Sequence, residues 1–341
     1  MKAIRFHEFG GPEVLKYEDV PEPVLRKDHV LIRVKACALN HLDLWTRKGL
    51  PGVKLPHING SDVAGVVEEI GEYITGIQKG QRVLLAPMLF CNHCQSCTNG
   101  QQSFCRQFTV LGNMVDGGNC ELIAVPQVNV IPIPDSMSFE QAASVPLVFL
   151  TAWHMLVSRA KLRQGQWVLV LGAGSGVGSA AIQIARMFHC NVIATAGDDS
   201  KMQKARELGA DHTIDHYKQK ISDEVKRITN KRGVDITFEH VGVATWQESM
   251  KSLKIGGTIV TCGATTGYDA NIDLRVLFAK QLSFLGSFMG TMGDLHEVLS
   301  HVFAGRLKPV VDRTFPLSET AEAHRYLQSS QMFGKVVLKP S

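Results

Sequence analysis

The sequence predicts an α/β fold: a doubly wound parallel sheet that follows a β-rich domain. Val168–Leu171 is a short, continuous apolar run, which suits a strand buried on both faces, and a glycine-rich turn and a helical apolar pattern follow it. Strand-like and helix-like stretches then alternate, as a parallel sheet requires. Earlier in the chain, short apolar runs are separated by Gly, Pro and Asp, which is typical of antiparallel β structure.

Length and composition are those of a globular protein. With 341 residues, 45% of them hydrophobic and 20% charged, the chain is long enough for two domains with separate cores. A net charge of +4 is too small and too dispersed to indicate a nucleic-acid partner. There is no run of about 18 apolar residues, and the N-terminus lacks the pattern of a signal peptide. We therefore expect a cytoplasmic protein without a membrane partner.

The first domain is predicted to cover residues 1–150. Its strand candidates include Val30–Val34, Val63–Ile70 and Arg82–Ala86. Proline-rich breaks between such runs favour an antiparallel barrel over parallel units.

Four cysteines cluster in residues 91–105 of this domain. The spacing C-x2-C-x2-C-x7-C is formed by Cys91, Cys94, Cys97 and Cys105. Four thiolates on a compact loop suit tetrahedral Zn²⁺, and a site closed by four cysteines has no position for chemistry. The alternatives are an iron–sulfur cluster, which uses related spacings, or free thiols. We predict one structural zinc ion, with His93 facing solvent.

The second domain is predicted to cover residues 151–287, and residues 288–341 are expected to return to the first domain. A helical stretch at Ala152–Val157 precedes the opening strand. In the tail, His296–Ala304 and then Thr314–Leu338, we expect one or two helices and a closing strand at Lys335–Leu338. The later strands of the sheet are placed at Asn191–Thr195, Thr213–Asp215, Asp235–His240, Thr258–Gly263 and Leu282–Gly286.

The glycine-rich turn predicts a dinucleotide site. Gly172, Gly174, Gly176 and Gly178 separate the apolar strand from the helix, so free backbone N–H groups and a positive dipole end point at one place. A pyrophosphate fits there, because glycine lets the backbone approach closely. The glycines fall at every second position, which departs from G-x-G-x-x-G, and an ordinary tight βα turn is the alternative.

These features together resemble the medium-chain dehydrogenase/reductase superfamily over essentially the whole chain. The resemblance rests on the β-rich domain, the four-cysteine lobe and a glycine-rich domain that contains GGTIVTCGATTG at residues 256–267. It implies a GroES-like catalytic domain at 1–150 and a Rossmann cofactor-binding domain at 151–287. The cysteine lobe resembles the structural-zinc lobe of the zinc alcohol dehydrogenases.

The positions that resemble catalytic-zinc ligands carry other residues. Asn40 and Leu147 stand where those enzymes have cysteine, and Ser61 stands where they have histidine. A catalytic zinc needs about three nitrogen, sulfur or carboxylate ligands, which this set does not supply. A different metal site built from His41, Asp43 and Asp62 is the alternative.

The same stretches resemble the zinc-free quinone oxidoreductases and enoyl-thioester reductases. Leu39–Asp43, followed by Arg47–Gly49, is similar to their Leu-Asn-x-x-Asp…Arg-x-Gly, and Gly60–Gly65 is similar to their Gly-Thr-Glu-x-x-Gly. The resemblance implies hydride transfer from NAD(P)H to a quinone or an α,β-unsaturated carbonyl compound or thioester. Asn40, His41, Asp43 and Asp62 are the candidate catalytic residues, although Asp43 could instead cap a helix.

Two other functions stay open at this point. One is an alcohol dehydrogenase or aldehyde reductase with an atypical or absent catalytic metal. The other is a protein that binds NADPH without turnover. The substrate is a small molecule for a reductase and for an alcohol dehydrogenase. The fold alone does not distinguish between these functions.

The cofactor is predicted to be NADPH in preference to NADH. Ala196 stands where NAD-preferring relatives carry an acid, Lys201 resembles a phosphate-binding lysine, and His216 falls where similar quinone oxidoreductases have tyrosine. Asp198 and Asp199 argue against a phosphate at this place. The predicted cofactor-binding residues are Thr151, Gly174, Ser175, Gly176, Val177, Gly197, Lys201, His216, Val241 and Gly263.

The last predicted strand, Leu282–Gly286, would be an exposed sheet edge if left alone. In relatives this edge pairs across a two-fold axis. We therefore expect a homodimer or a homotetramer.

Overall fold

The computed structural model describes residues 1–340 and divides into two units. The first is residues 1–147 together with the chain from Lys308 onward, and the second is Val148–Leu307. No helix within residues 1–340 combines the length and the apolar character that crossing a membrane requires.

The first unit is built mainly from antiparallel strands. Its strands are β1 Lys2–Arg5, β2 Lys16–Asp19, β3 His29–Ala38, β4 Asp62–Ile70, β5 Arg82–Leu85, β6 Met88–Leu89, β7 Thr109–Val110, β8 Leu122–Pro126, β9 Val130–Pro132, β16 Val311–Pro316 and β17 Lys335–Lys339. Its helices are α1 His41–Gly49, α2 Gln95–Thr98, α3 Phe139–Ala143 and α11 Thr320–Gln328. The main sheet has the order β16-β17-β3-β4-β5-β9, and β8 also pairs with β3.

Strand β3 organises this sheet, because it pairs with β4, β8 and β17. Its alternate residues Val30, Ile32 and Val34 are buried in the core. Near its end, Ala38 lies opposite Val337 and Cys37 opposite Leu338 of β17. This pairing brings the last strand of the chain beside the turn that leads into α1.

The second unit contains one six-stranded parallel sheet. Its strands are β10 Trp167–Val170, β11 Asn191–Ala196, β12 His212–Asp215, β13 Val234–Glu239, β14 Leu253–Thr261 and β15 Ser283–Gly286. Helix α4 Pro146–Trp153 leads into it, and the further helices are α5 Gly176–Met187, α6 Asp199–Glu207, α7 Ile221–Ile228, α8 Val243–Ser252, α9 Leu274–Ala279 and α10 Met292–Phe303.

The strand order is β12-β11-β10-β13-β14-β15, so the chain reverses direction across the sheet between β10 and β13. That order confirms the doubly wound sheet, and ligands of such sheets bind outside the carboxyl ends of the strands at this switch point. The predicted strands all occur within a few residues of their expected places.

Three features differ from the sequence prediction. The division of the chain falls at Lys308 and not at 288, because α10 packs in the second unit through buried Leu295, Val298 and Leu299. Strand β16 had no predicted counterpart. The helix predicted at Ala152–Val157 continues α4 into a π-helical segment, His154–Arg159, and such segments are rare.

Candidate functional site

The turn between β10 and α5 has the geometry of a phosphate cradle. Ser175 caps α5, since its Oγ accepts from the N–H of Gly178 at 2.9 Å and donates to the Gly172 carbonyl oxygen at 2.9 Å. Residues 174–177 are only partly buried. The first turn of α5 therefore presents backbone N–H groups at the positive end of a 12-residue helix.

Two glycines of this turn are required by close packing. A Cβ on Gly178 would stand well inside van der Waals contact of the Gly172 carbonyl oxygen, so helix and strand approach too closely for a side chain. Gly172 has φ of +60°, and a Cβ there would meet the His240 ring at 3.1 Å. His240 contacts the turn from β13, with Nε2 at 2.8 Å from the Leu171 carbonyl oxygen and 3.3 Å from Ser175 Oγ.

The predicted residues beyond β13 and β14 lie at the same edge of the sheet. The N–H groups of Val241 and Gly242 donate to the buried Glu239 carboxylate at 2.7 and 3.1 Å. A Cβ on Gly263 would approach the His240 carbonyl oxygen at 3.0 Å. The parallel strands β10, β13 and β14 thus bring Ser175, Val241 and Gly263 to the carboxyl edge of one sheet, where the fold class places a nucleotide.

The end of β11 forms the second part of this edge. Ala196 closes the strand, and a Cβ on Gly197 would meet the Tyr217 ring at 2.5 Å and His216 Nε2 at 3.3 Å. Burial lowers the pKa of His216, and the ammonium of Lys201 lowers it further. His216 therefore lies against Gly197, and Lys201 is close enough to His216 to affect its charge.

The two aspartates that argued against a phosphate differ in their surroundings. Asp198 caps α6, where one carboxylate oxygen accepts from the Lys201 N–H at 2.8 Å and the other lies 3.7 Å from Lys201 Nζ. The Asp198 carboxylate therefore interacts with the first turn of its own helix. Asp199 is exposed in the first turn of α6.

Thr151 is held in the second unit by α4 and by the segment before α10. It is 5% exposed, and its Oγ1 lies 4.0 Å from Met289 Sδ. One turn further on, His154 Nδ1 lies 2.7 Å from Asp294 Oδ2. This buried contact joins the π-helical segment that continues α4 to the start of α10.

The four predicted zinc ligands converge. The sulfur atoms of Cys91, Cys94, Cys97 and Cys105 all lie within 4.8 Å of one another. Cys91 Sγ is 3.8 Å from Cys97 Sγ and 3.7 Å from Cys105 Sγ. Tetrahedral zinc with Zn–S bonds of about 2.3 Å requires sulfur atoms about 3.8 Å apart. The lobe therefore fits a structural zinc ion, and His93 is exposed as predicted.

The thiols of this lobe differ in their pKa. Backbone N–H groups of His93 and Cys94 lower the pKa of the Cys91 thiol to about 6. Burial and the neighbouring thiols raise the pKa of Cys97 to about 12. Four thiolates packed this closely need a positive ion among them.

Asp43 is completely buried at the start of α1. Its carboxylate accepts from the backbone N–H groups of Asn40 at 2.7 Å and Gly60 at 3.1 Å. Burial raises its pKa to about 6, and the carboxylate of Asp62 acts in the same direction, while the Lys335 ammonium opposes the shift. Asp43 thus joins α1 to the segment before β4, which is the capping role that the sequence left open.

Asp62 and Asn40 form a second buried group with Lys335, which we call the polar centre. Lys335 Nζ donates to Asn40 Oδ1 at 2.6 Å and to Asp62 Oδ2 at 2.9 Å. Asn40 Nδ2 donates to the same Asp62 oxygen at 3.0 Å, and the Leu147 backbone N–H donates to Asp62 Oδ1 at 2.8 Å. Asn40, Asp62 and Lys335 are 7%, 0% and 3% exposed.

The polar centre does not fit a catalytic zinc. Its members are an amide, one carboxylate and an ammonium, and an ammonium repels a metal ion at the same place. Ser61 is fully buried, and Leu147 contributes only its backbone. Within residues 1–340 the cysteine lobe is the only group of three or more His, Cys, Asp or Glu side chains whose ligand atoms converge. The alternative metal site of His41, Asp43 and Asp62 is therefore not formed.

His41 differs from the other candidate catalytic residues because part of its side chain stays accessible. It is the first residue of α1, and its ring lies 6.4 Å from that of Trp45. Asn40 is nearly buried. Its side-chain Oδ1 and Nδ2 both form hydrogen bonds within the polar centre.

Sequence reasoning missed Lys335 and Tyr217. Lys335 is separated from Asn40 by 295 positions, and only the pairing of β17 with β3 joins them. Tyr217 lies against Gly197 just after the end of β12. Because it directly follows His216 in the sequence, its position could have been weakly predicted.

The chain was then compared with known proteins. A family model for zinc-binding dehydrogenases matches residues 176–304, and one for the alcohol dehydrogenase GroES-like domain matches residues 26–135. Quinone oxidoreductase from Homo sapiens is 30% identical over 348 residues, covering 99% of this chain and 97% of the relative. The chain belongs to the medium-chain dehydrogenase/reductase superfamily. The predicted Rossmann sheet and GroES-like domain are thereby confirmed.

Other relatives with different activities are at least as similar in sequence. Acryloyl-coenzyme A reductase from Sulfurisphaera tokodaii is 32% identical over 336 residues, with 97% of this chain and 98% of the relative covered. A crystal structure of an NAD-dependent alcohol dehydrogenase has a TM-score of 0.97 and 42% identity, with 99% of both chains covered. The comparisons support an NAD(P)H oxidoreductase and leave the substrate open.

Proposed function

We propose that this protein is an NADPH-dependent reductase of quinones or α,β-unsaturated carbonyl compounds and thioesters, and that it works without a catalytic zinc. The observation that carries the proposal is the polar centre, in which a buried lysine ammonium lies among the positions that resemble zinc ligands. The similarity to a quinone oxidoreductase and to an acryloyl-coenzyme A reductase supports the same class of acceptor.

The proposed class of acceptor follows from the donors of the polar centre, which do not form a zinc site. Oxidation of an alcohol needs a group that lowers the pKa of the hydroxyl, which zinc supplies in metalloenzymes. Quinones and enones are electrophilic at carbon without such help. NADPH, when bound, supplies the hydride, and the negative charge that reaches the acceptor oxygen must then be stabilised by donors of the protein. A solvent proton completes the reduced product.

His41 is the proposed donor to that oxygen. The residue is only partly buried, and it begins α1, where the positive end of the helix dipole lies. Asn40 has a supporting role, because its amide is held by Lys335 and Asp62. Asp43 fixes the backbone of Asn40 and is completely buried.

The preference for NADPH rests on the end of β11. The strand ends at Ala196, and Ala196 and Gly197 leave room for a 2′-phosphate. His216 lies beside Gly197, and Lys201 is close enough to His216 to affect its charge. Asp198 is engaged as the cap of α6, which reduces its repulsion of a phosphate. Thr151 and the turn at Gly174–Val177 are the proposed contacts for the nicotinamide side and the pyrophosphate.

An alcohol dehydrogenase is the second candidate, because the solved structure with 42% identity is an NAD-dependent alcohol dehydrogenase. This function predicts alcohol-dependent reduction of NAD⁺, and chelators should abolish it if a catalytic metal takes part. The polar centre argues against such a metal, since its donors do not form a zinc site.

The experiment is a screen of cofactor oxidation by the purified protein. The acceptors are enones, enoyl thioesters, quinones and simple aldehydes, each with NADPH and NADH. We expect turnover with at least one activated acceptor, lower KM for NADPH than for NADH, and no loss of activity with a chelator. Turnover of simple alcohols and aldehydes alone would favour the second candidate. Tight cofactor binding without turnover of any acceptor would indicate a non-catalytic protein.

We also propose a homodimer or homotetramer that works in the cytoplasm. Strand β15 forms one edge of the six-stranded sheet, and neighbouring α9 has no buried residue and exposes Leu274 and Phe278. None of the eight cysteines forms a disulfide within residues 1–340, which suits a reducing compartment.

A further inference from the structure

The peptide between Leu171 and Gly172 opens the turn between β10 and α5, and both of its polar groups bind side chains from neighbouring strands. His240 Nε2 lies 2.8 Å from the Leu171 carbonyl oxygen, and the Gly172 N–H donates to Thr195 Oγ1 at 3.1 Å. Thr195 belongs to β11 and His240 directly follows β13, and these two strands flank β10 in the sheet. The peptide is therefore held from both sides of β10.

The hydrogen bond from His240 satisfies a buried backbone group. Leu171 is fully buried, and its N–H still donates to the Phe238 carbonyl oxygen of β13 at 3.3 Å, while its own carbonyl oxygen accepts from the His240 ring. Because a carbonyl oxygen only accepts, Nε2 is the nitrogen that carries the proton. A buried carbonyl group that loses its donor costs free energy unless the backbone moves to find another. Removing this ring should therefore shift the start of the turn.

Glu239 fixes the segment from which His240 acts. Its carboxylate is buried and accepts from the N–H groups of Val241 and Gly242 and from two hydroxyl groups of α8. Neighbouring residues of an extended chain direct their side chains to opposite faces. Glu239 thus binds α8, while His240 contacts the turn before α5. The ring reaches the turn from a backbone that is itself held in place.

We propose that His240 and Thr195 are positioning residues of the cofactor site, which fix the peptide between Leu171 and Gly172 and thereby direct the N–H groups of residues 174–177 at the pyrophosphate of the cofactor. This inference rests on the proposed function, because it takes the turn as the site of NADPH. It adds that two side chains from other strands, outside the glycine-rich turn, determine how tightly the pyrophosphate is bound.

The test compares the affinities of four variants and the wild type for NADPH and for adenosine 2′-monophosphate, which has no pyrophosphate. His240→Leu removes the N–H donor, and Thr195→Val removes the acceptor of the Gly172 N–H. His240→Gln keeps an N–H donor near the position of Nε2. His212→Leu is the matched control, because His212 is exposed at the start of β12, at the opposite edge of the same sheet. Dissociation constants are measured by titration calorimetry, and thermal unfolding is recorded for each protein.

We expect His240→Leu and Thr195→Val to bind NADPH about tenfold more weakly than the wild type, as the loss of one buried hydrogen bond does. Both should bind adenosine 2′-monophosphate like the wild type. His240→Gln should keep most of the NADPH affinity, and His212→Leu all of it.

Three results would overturn the inference. They are wild-type NADPH affinity in His240→Leu or in Thr195→Val, a glutamine variant that binds NADPH as weakly as the leucine variant, and an equal loss of affinity for both ligands in His240→Leu. A wild type that binds neither NADPH nor NADH would instead overturn the proposed function.

Discussion

At the scale of single residues, the centre of this enzyme is set by charges that are buried together. Asp43, Asp62 and Lys335 are all nearly inaccessible, and each is held by named donors or acceptors. A buried charge is tolerated only when it is paired and hydrogen-bonded. The chemistry of the site is therefore inseparable from the stability of the first unit.

Asp43 should make stability depend on pH. Its pKa is raised from 3.8 to about 6 in the folded protein by burial, with Asp62 acting the same way and Lys335 against it. Between pH ~4 and ~6 the folded state keeps a proton on Asp43 that the unfolded state has released. The stabilisation by protonated Asp43 is therefore fully present below pH ~4 and is lost as the pH rises through ~6. The free energy of unfolding, relative to Asp43→Asn, should fall between these values. A difference that rises or stays flat would contradict the assignment.

Lys201 should distinguish the two cofactors. Lys201→Ala removes a charge-assisted hydrogen bond to the 2′-phosphate, so KM for NADPH should rise roughly tenfold, for a loss of about 1.5 kcal/mol. KM for NADH should change little. Lys204→Ala, one turn further along α6 and exposed, is the control. Equal effects of Lys201→Ala on both cofactors would show that the lysine does not bind the phosphate.

At the scale of elements, the turn between β10 and α5 depends on close contact between helix and strand. Gly178→Ala would place a methyl group against the Gly172 carbonyl oxygen, and the backbone must move to relieve it. We expect a loss of about 1–3 kcal/mol in the free energy of unfolding and a weaker affinity for NADPH. Gly293→Ala is the control, because a Cβ on this helical glycine meets nothing closer than 3.6 Å. Identical NADPH affinities in both variants would contradict this role.

The elements show what the sequence could predict and what it could not. The β10–α5 unit could be predicted because its strand, turn and helix are adjacent in sequence. The cysteine lobe could be predicted because its four ligands lie within 15 residues, from Cys91 to Cys105. Strand β16 was missed because its exposure pattern shows no regular alternation. Lys335 was missed because a contact across 295 positions leaves no local pattern.

At the scale of the whole molecule, the free edge of the parallel sheet predicts self-association. An unpaired edge strand offers a row of backbone donors and acceptors, and β15 has such an edge. Helix α9, which precedes β15 in the chain, exposes Leu274 and Phe278. Light scattering coupled to size-exclusion chromatography should give a mass of two or four chains. A monomer at micromolar concentration would show that another segment or partner covers this edge.

The chain order also explains why the site needs the complete first unit. Strand β17 comes from the last residues of the chain, yet it pairs with β3 and delivers Lys335 to Asn40. The tail is therefore part of the polar centre.

The central claim is that hydride transfer proceeds here without a catalytic metal ion, and the metal content of the active enzyme tests it most directly. Zinc per chain should be measured on protein that reduces an activated acceptor with NADPH. We predict one zinc ion per chain, bound by the four cysteines, with the same turnover after treatment by a chelator that leaves this ion in place. Two zinc ions per chain, with the second required for turnover, would contradict the claim.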